Sequence, residues 1–285
     1  MTDAEHRPIP IQVGDTTFQW GARTFVMGVV NVTPDSFSGD GILDPGRAAE
    51  QAIRMVEQGA DLIDIGAEST RPDHISIDAD EEWRRLEHSL MAVRRQVDVP
   101  ISVDTTRASV AERAFDIGAD ALNDINGLRA DPDLAPLIAR LGKPAVLMHN
   151  QRGREFGGDV IEDIAAGLRS SIDTATSAGV PEQQLILDPG FGFGWGPVQN
   201  LEMLRRLGEL RVLGRPLLLG TSRKSTIGHV LDRPAQDRVW GTAATMALAI
   251  EQGVDIIRVH DIEEMRDVAR MTDAIVRGWS DGEPS

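Results

Sequence analysis

The 285-residue chain contains no cysteine, which removes disulfides, thiolate nucleophiles and cysteine-based zinc sites at once and weakly favours a reducing compartment. It also lacks any excess of basic charge: 29 Lys and Arg stand against 45 Asp and Glu, a formal net charge of −16. An acidic surface of that size repels phosphate backbones and anionic headgroups, so neither nucleic acid nor a membrane surface is an expected partner. No apolar run reaches membrane-spanning length, and Met1 to Trp20 mixes charge with proline without the apolar core of a signal peptide. The expected location is cytoplasmic. Linkers rich in proline or serine and low-complexity tracts are missing too, so composition does not divide the chain. At 41% apolar and 26% charged, it reads as a globular protein with a sizeable core.

What is present is a repeat. Short apolar or β-branched runs recur at Thr24 to Val30, Leu62 to Ile65, Ile101 to Val103, Ala121 to Ile125, Ala145 to Met148, Leu185 to Leu187, Pro216 to Leu219 and Asp255 to Val259. Each is too short for a helix and too continuously apolar for a half-exposed strand, which is the mark of a strand buried on both faces. Between them lie segments of helical period: Arg47 to Gln58, Glu81 to Val97, Ala108 to Ile117, Ile161 to Ser177, Asn200 to Leu207, Gln236 to Glu251 and Ile262 to Arg277. Gly59, Gly118, Gly179 and Gly253 follow the last periodic residue of four of these and read as helix stops.

Eight strands alternating with helices predict a (β/α)8 TIM barrel over residues 24 to 278 rather than an open doubly wound sheet, which more often stops at five or six strands. Residues 1 to 23 read as a tail and a β-hairpin, with Gly14-Asp15 between Ile9 to Val13 and Thr17 to Trp20, placed to plug the bottom of the barrel. Residues 279 to 285 read as a loose tail.

In such a barrel the chemistry sits at the carboxyl ends of the strands. Here those ends are polar: Asn31, Glu68 to Pro72, Asp104, Asn123-Asp124, His149, Asp188, Ser222 to Ser225, and Arg258 with His260. Helix caps explain one or two of these. They do not explain Arg258 and His260, which lie two apart and so share a face of a strand, where a buried guanidinium needs an anionic partner. A bound diphosphate is the simplest such partner. His6, His74, His88 and His229 fall in tails, loops or helices and read as solvated. No HxxxH pair or acidic cluster has metal-site spacing, so a tight zinc site is not expected. The stretch Asp188-Pro-Gly-Phe-Gly-Phe-Gly-Trp-Gly196 does not open into a helix as a dinucleotide loop does, and reads as a loop of close approach to a planar ligand.

Taken in order, Asn31-Val-Thr-Pro-Asp-Ser-Phe37, Gly66-Ala-Glu-Ser-Thr-Arg-Pro72, Ser102-Val-Asp-Thr105, Asn123-Asp124, Met148-His149, Leu187-Asp-Pro-Gly190, Ser222-Arg-Lys-Ser225 and Arg258-Val-His-Asp261 resemble the dihydropteroate synthase family, from about Met27 to His260. The resemblance implies a TIM barrel that joins 4-aminobenzoate to a 7,8-dihydropterin-6-ylmethyl diphosphate and releases diphosphate. It implies that Asp104, Asn123, Asp188 and Lys224 bind the pterin, and that Asn31, Thr70, Arg71, Arg258 and His260 hold the diphosphate, with Asn31 touching Mg²⁺. Phe37, Pro72, Phe193 and Ser225 would border the aminobenzoate. Asp35, Arg71, Lys224, Arg258 and His260 would act in catalysis, the first two from loops that close over the reacting centre. A homodimer through the outer helices of the last units is implied as well.

Three loops on the same face differ from the family pattern: Gly39-Asp40-Gly41, Asn150 to Gly158, and Gly192-Phe-Gly-Trp-Gly196. Two other readings of the motifs are a non-catalytic barrel that keeps the pterin pocket for pterin or partner binding, and a related pterin-barrel enzyme such as a methyltetrahydrofolate methyltransferase. The methyltransferase has no use for Asn31 to Phe37 or Ser222 to Ser225, since no diphosphate leaves there.

Overall fold

The computed structural model describes residues 8–33, 44–68 and 76–279. The chain enters through an antiparallel hairpin, β1 (Ile11–Val13) and β2 (Thr16–Phe18), in which Ile11 faces Phe18 and Gly14 turns the corner at φ +55°. Then come β3 (Phe25–Asn31), α1 (Pro45–Glu57), β4 (Leu62–Gly66), α2 (Ala79–Arg94), β5 (Ile101–Asp104), α3 (Ala108–Asp116), β6 (Ala121–Asp124), α4 (Leu134–Leu141), β7 (Ala145–Met148) and α5 (Val160–Ser177). The last units are β8 (Leu185–Asp188), α6 (Pro197–Arg205), β9 (Leu218–Leu219), α7 (Ser225–Leu231), α8 (Val239–Glu251), β10 (Ile256–Val259) and α9 (Ile262–Arg277).

β3 to β10 form one eight-stranded parallel sheet in the order β8-β7-β6-β5-β4-β3-β10-β9. Its ends meet: Leu187 of β8 bridges Leu217, and the Leu187 amide donates to the Pro216 carbonyl at 2.9 Å. The expected barrel is therefore closed, with no edge strand left to be covered. Among the described residues, no helix is long and apolar enough to cross a membrane.

Local chemistry starts and stops the helices. Asp44, Asp78 and Asp159 accept from the first free amides of α1, α2 and α5, contacts worth about 0.5–2 kcal/mol each. Gly59, Gly118, Gly179 and Gly253 all have φ between +92° and +107°, and a side chain at Gly59 would also collide with Arg266. Two helices were invisible in the periodicity. α4 carries Pro136 in its first turn, where the missing amide costs little but the residue reads as a breaker, and α7 holds Gly228 within seven residues.

Alternation along each strand divides the interior into levels. At the bottom the inward side chains are apolar. Leu62, Ala121, Val146, Ile186, Leu218 and Ile256 pack against one another and against Phe18 and Trp20 of the hairpin segment, so the hairpin does plug the barrel. Outward positions such as Ile63, Ile65, Val103, Leu187 and Ile257 join the larger core beneath the helices. Two residues above the apolar floor four of these six inward positions turn polar: Asp64 above Leu62, Asn123 above Ala121, Asp188 above Ile186 and Arg258 above Ile256. An apolar plug below and a polar ring above place the chemistry at the carboxyl end of the barrel.

Candidate active site

The ring is built by strand register. Asp64 lies opposite Ser102 on the neighbouring strand, and Gly66, Asp104 and Asn123 follow across the next pairings. Asp64 is fully buried and accepts three hydrogen bonds, from the Ser102 hydroxyl, from Asn123 Nδ2 at 3.0 Å and from Arg258 Nε at 2.7 Å. Arg258 Nη2 also donates to Asp104 Oδ2 at 3.1 Å. The anionic partner required by the buried guanidinium is thus supplied from inside the protein by Asp64 and Asp104, not only by a ligand as the sequence argument had it. Among the described residues, Arg258 Nη1 has no hydrogen-bond partner.

Sequence reading passed over Asp64 because it sits inside the apolar run Leu62 to Ile65. The available signal was its parity: a carboxylate two residues after Leu62 on a strand buried on both faces must point into the barrel.

Asp104 has its carboxyl pushed above the usual range by burial and by the neighbouring Asp64 charge, against the pull of Arg258. Burial raises Asp188 too, opposed by Lys224 and by the Gly190 amide that donates to Asp188 Oδ1 at 2.7 Å. Lys224 is lowered to about 8 by burial, with Asp188 resisting the shift and Arg258 and Arg152 adding to it. Its Nζ donates to the Phe191 carbonyl at 2.6 Å and lies 4.6 Å from the centre of the Phe193 ring. These groups pull one another's proton affinities in both directions, which is characteristic of functional clefts.

The glycine-rich stretch after β8 makes its close approaches to protein. A Cβ at Gly190 would stand 1.8 Å from the His149 carbonyl oxygen, one at Gly194 2.6 Å from the Arg152 amide and one at Gly192 3.2 Å from Lys224 Cδ. The segment is thereby pressed onto the end of β7 and over Lys224, and it presents Phe193, 8% exposed, to the ammonium. His149 is buried below it, bonded through Nε2 to Gln151 Oε1 at 2.9 Å and stacked on Trp195, and burial lowers it to about 4. It is a neutral packing histidine.

His260 does not share the partners of Arg258. Its amide and Nδ1 meet Ser222 Oγ at 3.2 and 3.0 Å, which ties the end of β10 to the loop before α7. Ser225 is the exposed first residue of α7, directly after Lys224, and Asn31 is the half-buried last residue of β3. Asp35, Phe37, Thr70, Arg71 and Pro72, together with Gly39-Asp40-Gly41, lie outside the described residues. The described anchors of residues 69–75 are nonetheless well held. Glu68 accepts from Ser76 Oγ at 2.9 Å, and Arg107 bonds Glu68, the buried Glu82 and the Ile77 carbonyl.

The donor set fits Mg²⁺ in one way only. Among the described residues no group of three acidic or histidine side chains converges as a metal cage, whereas Asn31 offers a hard amide oxygen. One such ligand suits an ion that arrives with an anionic substrate.

Two inward positions at the level of the polar ring, Gly66 and Gly220, have no side chain, and a Cβ there would meet Asp104 Cβ at 3.0 Å and Arg258 Cβ at 3.6 Å. Residues 27–260 match the family model described as pterin binding enzyme. The chain is 44% identical to the dihydropteroate synthase of Synechocystis over 96% of its own length and 98% of that protein's. Among solved structures, the dihydropteroate synthase of Clostridium difficile, crystallised in the presence of pteroic acid, is 49% identical and superposes with a TM-score of 0.87 over 91% of this chain and 99% of that one. That of Xanthomonas albilineans, with 4-aminobenzoic acid, is 35% identical, with a TM-score of 0.86 over 94% and 98% of the two chains. The chain belongs to the dihydropteroate synthase family of pterin-binding transferases.

Proposed function

We infer that the chain is a dihydropteroate synthase: it condenses a 7,8-dihydropterin-6-ylmethyl diphosphate with 4-aminobenzoate and releases diphosphate. The observation that carries this reading is the inward set of Asp64, Asp104, Asn123, Asp188, Lys224 and Arg258 above an apolar floor, in a chain that matches the family from residue 27 to 260.

A pterin edge offers an amino group and ring N–H groups to carboxylates, and a carbonyl and ring nitrogens to an amide and an ammonium. Asp104 and Asp188 would take the first pair, Asn123 and Lys224 the second. Asp188, and Asp104 when ionised, would stabilise the positive charge that grows on the ring as the bond to diphosphate breaks. The amine of 4-aminobenzoate would then capture that carbon, and no protein nucleophile is needed.

Arg258, held by Asp64 and Asp104, would direct its remaining Nη1 to the diphosphate, with His260, Asn31, Thr70 and Arg71 as further contacts. Mg²⁺ bound with the substrate would neutralise the leaving oxygens, and Asn31 is the residue that would touch it. Phe193 and Ser225 would border the aminobenzoate with Phe37 and Pro72, while Asp35 and Arg71 would act from the two loops beyond the described residues. A homodimer through the last helices is supported by Val230, Leu231 and Trp240, apolar side chains left 57%, 45% and 80% exposed on α7 and α8.

The test is turnover: purified protein with pterin diphosphate, Mg²⁺ and 4-aminobenzoate should release diphosphate and form dihydropteroate in equal amounts. Retained binding of the pterin diphosphate with no turnover would remove the synthase reading in favour of a pterin-binding protein.

A further inference from the structure

We propose that Arg223 and Asp261 are positioning residues, a clamp that sets Lys224 and His260 against each other at the barrel mouth; the roles of those two rest on the synthase reading above. The pair is placed to do so, because Arg223 directly precedes Lys224 in the chain and Asp261 directly follows His260. Arg223 donates to both carboxylate oxygens of Asp261, through Nε at 3.0 Å and through Nη2. One residue away, Ser222 Oγ meets the His260 amide and Nδ1. Two consecutive residues before α7 are thus joined side by side to two consecutive residues just past β10.

The backbone at Arg223 shows what the clamp works against. Thr221 to Lys224 form a tight turn, closed by the Lys224 amide donating to the Thr221 carbonyl at 3.0 Å, and Arg223, its third residue, has φ +57°. Glycine or asparagine is the usual occupant of that conformation, and a long side chain persists there only where its surroundings enforce it. Here both backbone groups of the residue are held. The Arg223 amide donates to Thr242 Oγ1 at 3.2 Å, and its carbonyl accepts from Arg238 Nη1 at 2.8 Å. Arg238 reaches that carbonyl by lying across α7 at Gly228, where a Cβ would stand 2.1 Å from Nη2. The glycine within α7 therefore serves this contact.

The consequence falls on Lys224. Its Nζ is seated on the Phe191 carbonyl and beside the Phe193 ring, with Asp188, Asp104, Arg258 and Arg152 as the charged groups that face it. An ion pair that merely fastened two loops would add stability and leave this seat unchanged.

The sequence makes the distinction measurable. It holds two lysines, Lys143 and Lys224, so each titrates as its own signal in NMR of protein labelled with ¹³C at lysine Cε. Arg223→Ala and Asp261→Ala should each raise the Lys224 pKa from about 8 towards the ordinary value of about 10.4, as the ammonium leaves its seat for water. Charge alone would move it in opposite directions, up on loss of the Arg223 cation and down on loss of the Asp261 anion. In the same variants kcat/KM for the pterin diphosphate should fall roughly 10- to 100-fold, and the double variant should lose no more than the worse single one, because the two residues act as a unit. Arg223→Gly fits the turn without strain, which keeps the comparison open if alanine unfolds the protein, and it should fall between Arg223→Ala and the parent in both readouts. Opposite pKa shifts, or folded variants that keep the value near 8 and the parent kcat/KM, overturn the clamp. Absence of turnover in the parent removes the synthase reading, while the lysine titration, which needs no substrate, still decides the clamp.

Discussion

Arg258 Nε donates to Asp64 Oδ2 at 2.7 Å, joining β10 to β4 across 194 residues of sequence and fixing a guanidinium at the centre of the barrel mouth. Because Asp64 is fully buried, the pair cannot be exchanged for water without loss. Asp64→Asn should lower stability by about 3 kcal/mol, since Asp104 remains as a second partner. Urea unfolding measures this, and a midpoint equal to that of the parent protein would mean the pair contributes nothing to the fold.

The same geometry separates two duties of Arg258. Arg258→Lys keeps a charge but cannot bridge two carboxylates and still present a third nitrogen. Calorimetry should find the pterin diphosphate bound roughly tenfold more weakly or worse, with a much smaller change for the bare pterin. Equal losses for both ligands would refute the assignment of Arg258 to the anion.

Lys224, at about 8, should impose an alkaline limit on binding. As pH rises through that value the ammonium is lost, the pterin carbonyl and ring nitrogen lose their donor, and kcat/KM should fall with an apparent pKa near 8. For stability the sign is opposite: the unfolded lysine keeps its proton to about 10.4 while the folded one has released it, so folding becomes more favourable between those values. Lys224→Met should remove both effects, and a stability profile still rising there would locate the proton elsewhere.

His149 governs the acid side. Its buried ring, lowered to about 4, stays neutral while an unfolded histidine protonates near 6.5. The unfolded state therefore binds the extra proton between those values, and stability should fall as pH drops through the window. His149→Gln should flatten this part of the profile in urea melts; an unaltered slope would show that other groups cause it.

Arg107 holds the buried Glu82 together with Glu68. Arg107→Ala strands a carboxylate that is 1% exposed and should cost about 3–5 kcal/mol. Adding Glu82→Gln should recover much of that loss, because the uncompensated charge is gone. Additive losses in the double variant would mean that Glu82 is not the charge Arg107 compensates.

Much of this molecule is legible locally. The eight buried runs, the glycines that end four helices and the hairpin around Gly14 declare themselves through period and backbone freedom, which neighbouring residues decide. α4 and α7 escaped because Pro136 and Gly228 suppress the very signals that mark a helix, while packing on the barrel holds them in place. Strand-end residues such as Asp104, Asn123, Asp188 and Lys224 could be found because their polarity interrupts an apolar pattern.

What the sequence by itself determined is the barrel and the polar character of its mouth, since strand length, burial and alternation are properties of short segments. What only the tertiary structure decided is who partners whom. Asp64 meets Ser102, Asn123 and Arg258 over separations of 38, 59 and 194 residues, and the glycines after β8 press against His149 and Lys224 instead of standing open to a ligand. Those contacts exist because a closed sheet brings every strand end to one small circle, and closure is a property of the whole chain that no segment carries alone.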